Sequence, residues 1–110
     1  MVLKEVSEKM FEEKVKEILN FYQKIKIKDE ANLERVLKEN DELNTSYCIS
    51  RLCGTIMQIK FNELILELRK SKGLTIEALE YLTDSSNWEK TKEEIRTKFN
   101  VPKSVPENFI

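Results

Sequence analysis

Residues 45–68 read TSYCISRLCGTIMQIKFNELILEL and form the most apolar stretch of the chain. Its apolar residues cover more than one side of a helical projection, which is typical of a helix buried among neighbours. Charged and amide side chains interrupt the stretch too often for a bilayer span, which needs about 20 consecutive apolar residues. The stretch therefore predicts a central core helix that is capped by Thr45 or Ser46 and continues to Lys72.

Two features of this helix leave alternatives open. Gly54 marks a place where the helix is thin or where a neighbour approaches closely. The segment 55–59, TIMQI, is also compatible with extended structure, because a short apolar run fits either a strand or a buried helix.

A helical stripe also precedes the central helix. Apolar residues recur there at steps of three and four and predict a first helix over about residues 4–27. The stripe consists of Phe11, Val15, Ile18, Tyr22 and Ile25. Asp29 then has the residue type of a helix cap, which predicts a second, shorter helix that carries Leu33 and ends in the polar run 38–44.

After the central helix, the basic residues of 69–72 and Gly73 form a helix stop. A short helix is predicted from Thr75 to about Leu82. Ser86 and Glu89 have the spacing of a capping box, which predicts a last helix ending near Asn100. Its apolar stripe consists of Trp88, Thr91, Ile95 and Phe99.

Two prolines in 101–110 favour an extended tail, in which Phe109 and Ile110 are candidate anchors. The hairpin dipeptides Asn-Gly and Asp-Gly and long strand-like alternation are absent from the sequence. We therefore predict an all-α protein: one compact domain over residues 1–100, built as a bundle of four to five helices, followed by the extended C-terminal tail.

The composition argues against most hydrolase and zinc chemistry. The 110 residues are 40% apolar and 35% charged, with a net charge of -1 and no histidine. Without histidine, the usual proton shuttle near neutral pH and the commonest metal ligand are missing.

Cys48 and Cys53 lie about 140° apart on a helix, too far around the axis for a disulfide. We predict a cytoplasmic protein, because both thiols are expected to be reduced and because the charged N-terminal segment contains no apolar run like that of a signal peptide.

Carboxylates are the only abundant reactive groups. Glu63 and Glu67 lie one helical turn apart, so a metal-dependent carboxylate hydrolase is one alternative function. Such a site needs acidic pairs from two helices aimed at one point, and most acids here fall on faces that the apolar stripes assign to solvent. We therefore predict no catalytic, cofactor-binding or metal-binding residues, no cofactor and no enzymatic activity.

A local resemblance gives another alternative. The segment 66–79, LELRKSKGLTIEAL, resembles the opening of phage-repressor-type helix-turn-helix domains, and 95–102, IRTKFNVP, is similar to their end. The resemblance implies a DNA-binding regulator with a degenerate helix-turn-helix at about 64–102. The intervening segment 83–94 carries four acids that DNA phosphates would repel, so nucleic acid is the less favoured partner.

The leading hypothesis is a non-enzymatic protein-binding protein of the inhibitor, immunity, antitoxin or mobile-element accessory type, from a bacterium or phage. Size and composition resemble those of small cytoplasmic immunity proteins. Such a protein would neutralise or regulate a macromolecular partner, such as a toxin or nuclease, through an acidic helical surface. The candidate partner-binding residues are Glu39, Asp41 and Glu42 in the mid-chain turn and Asp84, Trp88, Glu89, Glu93 and Glu94 near the C-terminus. Trp88 qualifies as an anchor if its ring is exposed.

Overall fold

The computed structural model describes the backbone of residues 2–68 and 74–106 and the side chains of residues 8–67 and 76–106. The described chain forms four helices and contains no strand: α1 (Val2–Lys38), α2 (Glu42–Leu68), α3 (Leu74–Thr83) and α4 (Ser85–Lys98). The prediction of an all-α bundle is confirmed. The expected helix stop at 69–73 and the anchors Phe109 and Ile110 lie outside the described residues.

The first helix is longer than predicted. α1 runs without a break through residues 27–31, where the sequence predicted one helix to end and another to begin. The prediction that Asp29 caps a second helix was wrong, since Asp29 lies in the middle of α1 with only 3% of its surface exposed. Side chains of α2 donate hydrogen bonds to its carboxylate, so the carboxylate does not depend on the free backbone N–H groups at a helix N-terminus.

Those contacts set the register of α1 against α2. One oxygen of Asp29, Oδ2, accepts a hydrogen bond of 2.7 Å from the hydroxyl of Thr55. The other, Oδ1, accepts one of 3.2 Å from Nε of Arg51. A buried carboxylate without such donors would be costly, so the two donors make one alignment of the helices strongly preferred.

The turn between α1 and α2 is short. Asn40 adopts a left-handed backbone conformation with φ of 56°, which asparagine tolerates better than most residues. The side chain of Asp41 then accepts a hydrogen bond of 3.1 Å from the backbone N–H of Asn44, as an N-cap does. The predicted caps Thr45 and Ser46 were wrong: both are buried within the first turns of α2.

The central helix forms the core as predicted. α2 is helical throughout 55–59, so the extended alternative was wrong. Leu52, Cys53 and Met57 are fully buried, and α1, α3 and α4 all pack against this helix. At Gly54, an added Cβ would lie 3.9 Å from the ring of Trp88, an ordinary van der Waals distance, so Trp88 packs over this position but does not require glycine there.

The last two helices form a tight pair. α3 confirms the predicted short helix, and only Asp84 separates it from α4. Asp84 caps α4 by accepting a hydrogen bond of 2.9 Å from the backbone N–H of Ser86, so the predicted capping role of Ser86 was wrong. The expected stripe is confirmed, because Thr91 and Ile95 are buried and Trp88 and Phe99 pack against the core.

The first part of the tail is folded onto the bundle. Val105 is buried in the core cluster. Its carbonyl oxygen accepts a hydrogen bond of 3.0 Å from Nη2 of Arg96. Residues 101–106 therefore close the end of the bundle near the turn between α1 and α2.

The molecule is elongated because α1 is much longer than its neighbours. A helix of this length spans about 55 Å at 1.5 Å per residue, close to the longest dimension of 58 Å. With Asp29 level with Thr55 and Arg51, the last described residues of α2 lie level with about residue 14 of α1. The first turns of α1 therefore extend past the described end of α2.

We predict that Asp29→Ala destabilises the protein by about 2 kcal/mol, because it removes the acceptor of both Thr55 and Arg51 and leaves the Thr55 hydroxyl only its longer bond of 3.2 Å to the carbonyl oxygen of Arg51. Chemical denaturation measures this change. Glu34→Ala, which removes an exposed carboxylate from the same helix, is the matched control and should change stability little. A double variant Asp29→Ala/Thr55→Ala that loses the full sum of the two single effects would contradict a direct coupling between these side chains.

Candidate functional site

A groove lies between α1 and α2 and has a volume of about 500 Å³. From α1 it is lined by Ile25, Lys28, Asp29, Asn32, Arg35 and Val36, and from α2 by Asn44, Tyr47, Cys48 and Arg51. A recess of this size fits a segment of a partner or a small molecule.

The groove is cationic. Its lining holds three cations, Lys28, Arg35 and Arg51, of which Arg51 is paired with Asp29 and Arg35 with the neighbouring Glu39. Hydrogen bonds to Tyr47 and Asp29 raise the pKa of Arg51, so its charge is fixed at every relevant pH. Such a lining favours an anionic ligand group over a cationic one.

The groove residues differ from the residues that sequence reasoning selected. Arg35, Tyr47 and Arg51 were not predicted as site residues, because their proximity depends on the alignment of α1 with α2. Arginine and tyrosine are enriched at the energetic centres of protein interfaces. Lys28 and Arg35 lie seven residues apart on one face of α1, and this spacing is visible in the sequence. The residues of α2 that face them are not.

The face of α1 that lines the groove continues along the N-terminal half of the helix as an apolar strip. Met10, Phe11, Ile18 and Phe21 form this strip, with 57%, 48%, 41% and 60% of their surface exposed. Of the first three residues of the predicted stripe, Phe11, Val15 and Ile18, only Val15 is buried. α2 covers the Val15 side of α1 and leaves the strip accessible.

The mid-chain acidic residues lie at the turn between α1 and α2. Glu39 is exposed and forms an ion pair of 3.2 Å with Arg35. Asp41 caps α2, and hydrogen bonds from the backbone and side chain of Asn44 lower the pKa of its carboxyl. Glu42 is exposed at the start of α2. Two of these three carboxylates thus already have structural partners.

The C-terminal acidic residues lie elsewhere. Asp84 is the cap of α4, while Glu89, Glu93 and Glu94 are exposed along that helix. Lysines at 90, 92 and 98 are interspersed with them. Because α4 passes Gly54 at Trp88, this set lies about 18 Å along α2 from Glu42. The structure therefore presents two separate acidic regions and not one surface.

Trp88 does not meet the condition set for an anchor. Its ring is partly buried against the core, and its indole N–H donates a hydrogen bond of 2.9 Å to the carbonyl oxygen of Leu82. This bond joins α3 to α4. The observed role of Trp88 is to hold the two helices together.

The described side chains give little support to metal or thiol chemistry. Among them, no group of three or more histidine, cysteine, aspartate or glutamate residues is placed to hold a metal ion. Cys48 and Cys53 are buried and unpaired with each other, as predicted. Burial raises the pKa of Cys48, and it raises that of Cys53 to about 11, so both remain thiols near neutral pH.

Comparison with known proteins gives no match: no protein-family model, no curated protein and no solved structure is similar to this chain. None of the described helices contains a stretch long and apolar enough to span a bilayer. The function is therefore inferred from the groove, the apolar strip and the charges described above.

We predict that the cap residue Asp84 contributes to the loss of stability in acid. Hydrogen bonds from the Ser86 side chain and backbone lower the pKa of Asp84 below its ordinary 3.8. A lowered carboxyl pKa stabilises the fold above the ordinary value, and that contribution is lost as pH falls through the lowered pKa. Asp84→Asn, which keeps a capping oxygen but does not titrate, should show a smaller drop in melting temperature on acidification.

The control for this prediction is Glu93→Gln, which removes an exposed carboxylate that caps no helix. It should keep the acid dependence of the wild type. An Asp84→Asn protein whose melting temperature falls with pH as steeply as that of the wild type would contradict the assigned role.

Proposed function

We propose that this protein is a non-enzymatic binding protein that neutralises or regulates a protein partner, in the manner of small inhibitors, immunity proteins and antitoxins. The groove between α1 and α2 carries this proposal. It combines a recess, cationic side chains and an exposed aromatic residue, Tyr47, on two helices that are locked together by Asp29. These are features of a preformed interface for an acidic segment of another protein.

The chemistry of the groove defines the segment that would bind there. Arg35 and Arg51 offer guanidinium groups that can bind a carboxylate in bidentate fashion. Beside them, the partly buried Ile25 offers apolar surface, whereas Val36 is 1% exposed and belongs to the core. A partner segment with a carboxylate next to an apolar side chain could contact the guanidinium groups and the apolar surface together. The two helices would not need to move for these contacts to form.

The acidic surface predicted from the sequence stays a prediction. Asp41 and Asp84 already serve as caps and Glu39 is paired with Arg35, so its available carboxylates are those of Glu42, Glu89, Glu93 and Glu94. Nearby lysines reduce the local negative field. For these reasons we favour the groove as the primary contact.

The alternative of a DNA-binding regulator receives less support. A helix-turn-helix joins its helices through a turn of about three to four residues, whereas α3 and α4 are separated by Asp84 alone. The helix in the recognition position, α4, exposes Glu89, Glu93 and Glu94, which would meet phosphate repulsion. Binding to duplex DNA at low salt would revive this alternative.

The test is affinity capture from the source organism with three forms of the protein. The groove variant is Tyr47→Ala/Arg35→Glu, which alters exposed side chains and leaves the Asp29 contacts intact. The matched control is Glu89→Lys/Glu93→Lys, which reverses the exposed acids of α4. Circular dichroism establishes that each variant folds before it is used.

We expect the wild type and the α4 variant to retain one partner in stoichiometric amount, and the groove variant to lose it. Loss with the α4 variant and retention with the groove variant would assign binding to the acidic surface and contradict the groove. Retention of the same proteins by all three forms would contradict both surfaces.

A further inference from the structure

The exposed face of α1 has the spacing of a coiled-coil seam. Successive steps of three and four residues connect its members, and we call them the α1 seam: Phe11, Lys14, Ile18, Phe21, Ile25 and Lys28. In heptad terms, Phe11, Ile18 and Ile25 take one core position, and Lys14, Phe21 and Lys28 take the other. The pattern is clearest at its centre, where Ile18 and Phe21 are both apolar and exposed.

This seam is separate from the packing of α1 on α2. At 100° per residue, Ile18 and Phe21 lie about 60° and 120° around the axis from the buried Val15. A second helix can therefore lie along the seam while α2 keeps its place. Ile25 and Lys28 also line the groove, whereas Tyr47 and Arg51 on α2 lie outside the seam.

The charges beside the seam identify a compatible occupant. Glu17 and Lys24 occupy equivalent flanking positions one heptad apart and both are exposed, and Glu17 also forms an ion pair of 3.2 Å with Lys14 of its own helix. In an antiparallel pair of identical helices, such flanking positions face one another across the interface. If Ile18 packs against Phe21 of the second copy, Glu17 comes opposite Lys24 of that copy, and two-fold symmetry repeats the pair.

The neighbouring registers lack this complementarity. A shift of one heptad in one direction places Glu17 opposite Glu17, and a shift in the other places Lys24 opposite Lys24. Both shifts place like charges opposite each other, and both move Ile18 away from Phe21 of the second copy. One antiparallel register therefore brings Ile18 against Phe21 and Glu17 opposite Lys24 at the same time.

We propose that the protein forms a two-fold symmetric, antiparallel dimer through the α1 seam, with Ile18 against Phe21 and Glu17 against Lys24 of the second copy. This interaction goes beyond the proposed function: its central contacts lie outside the groove, although the seam shares Ile25 and Lys28 with the groove lining. Dimerisation covers the apolar strip, which is otherwise a large exposed apolar patch for a protein of this size.

The test is sedimentation equilibrium of the full chain and its variants in the micromolar range. The wild type should sediment as a species of twice the chain mass of 13.0 kDa. Ile18→Glu should be monomeric, because it places a carboxylate at the centre of the apolar contact. The control is Ile27→Glu, since Ile27 is 67% exposed on the same helix but about 120° around the axis from Phe21.

Charge reversal tests the register. Glu17→Lys and Lys24→Glu should each raise the dissociation constant of the dimer about tenfold, because each replaces two attractive pairs by two repulsive ones. The double variant Glu17→Lys/Lys24→Glu should restore the wild-type constant. Melting curves of the monomeric forms show whether any variant has lost its fold.

A wild type that is monomeric throughout this range would overturn the proposal, as would a dimer that Ile27→Glu weakens as much as Ile18→Glu. A dimer that the single charge reversals leave unchanged, or that the double variant fails to restore, would overturn the antiparallel register. Because Tyr47→Ala/Arg35→Glu leaves Ile18, Phe21, Glu17 and Lys24 in place, loss of partner capture with this variant and loss of dimerisation are distinguishable.

Discussion

The buried carboxylate of Asp29 is the constraint on which the arrangement of the helices depends. Apolar packing alone would allow α1 to slide along α2 by a helical turn at modest cost, since leucine, valine and isoleucine side chains are similar in size. The hydrogen bond from Thr55 and the ion pair from Arg51 remove that freedom. A buried polar group of this kind selects one alignment, because every other alignment leaves it without a donor.

The surface features follow from that alignment. It places the two arginines, Arg35 and Arg51, on facing sides of one groove, and it directs the Val15 side of α1 towards α2. Because α2 covers only that side of α1, Ile18 and Phe21, which lie on another face of the helix, stay exposed. A single polar contact thus determines both the cationic recess and the apolar strip.

The sequence predicted the fold class, because helical periodicity is a local signal and tail prolines are local breakers. The helices α3 and α4 were predicted almost to their observed ends for the same reason. The continuity of α1 was not predictable in this way. Aspartate is a frequent N-cap, and only the donors on α2 explain why Asp29 occupies a helix interior. A local sequence pattern does not reveal a contact between residues 26 positions apart, such as the hydrogen bond between Thr55 and Asp29.

The candidate site was less predictable than the fold. The predicted acidic residues were chosen by residue type, and Asp41 and Asp84 prove to be helix caps, which is the commoner role for an aspartate after a turn. Trp88 was recognised as a potential anchor, but its exposure depends on how α3 meets α4. The groove arises from residues about twenty positions apart, and their proximity depends on the turn at Asn40 and on Asp29.

Amide hydrogen exchange along α1, resolved by residue, tests the central claim most directly. If Asp29 is an interior residue of one helix locked onto α2, the amides from Ile27 to Leu33 exchange slowly and with similar protection, as expected for an uninterrupted hydrogen-bond ladder. A fast-exchanging gap around Lys28, Asp29 and Glu30 in the wild-type protein would show that two helices meet there. That result would contradict the account of the groove and of the seam together.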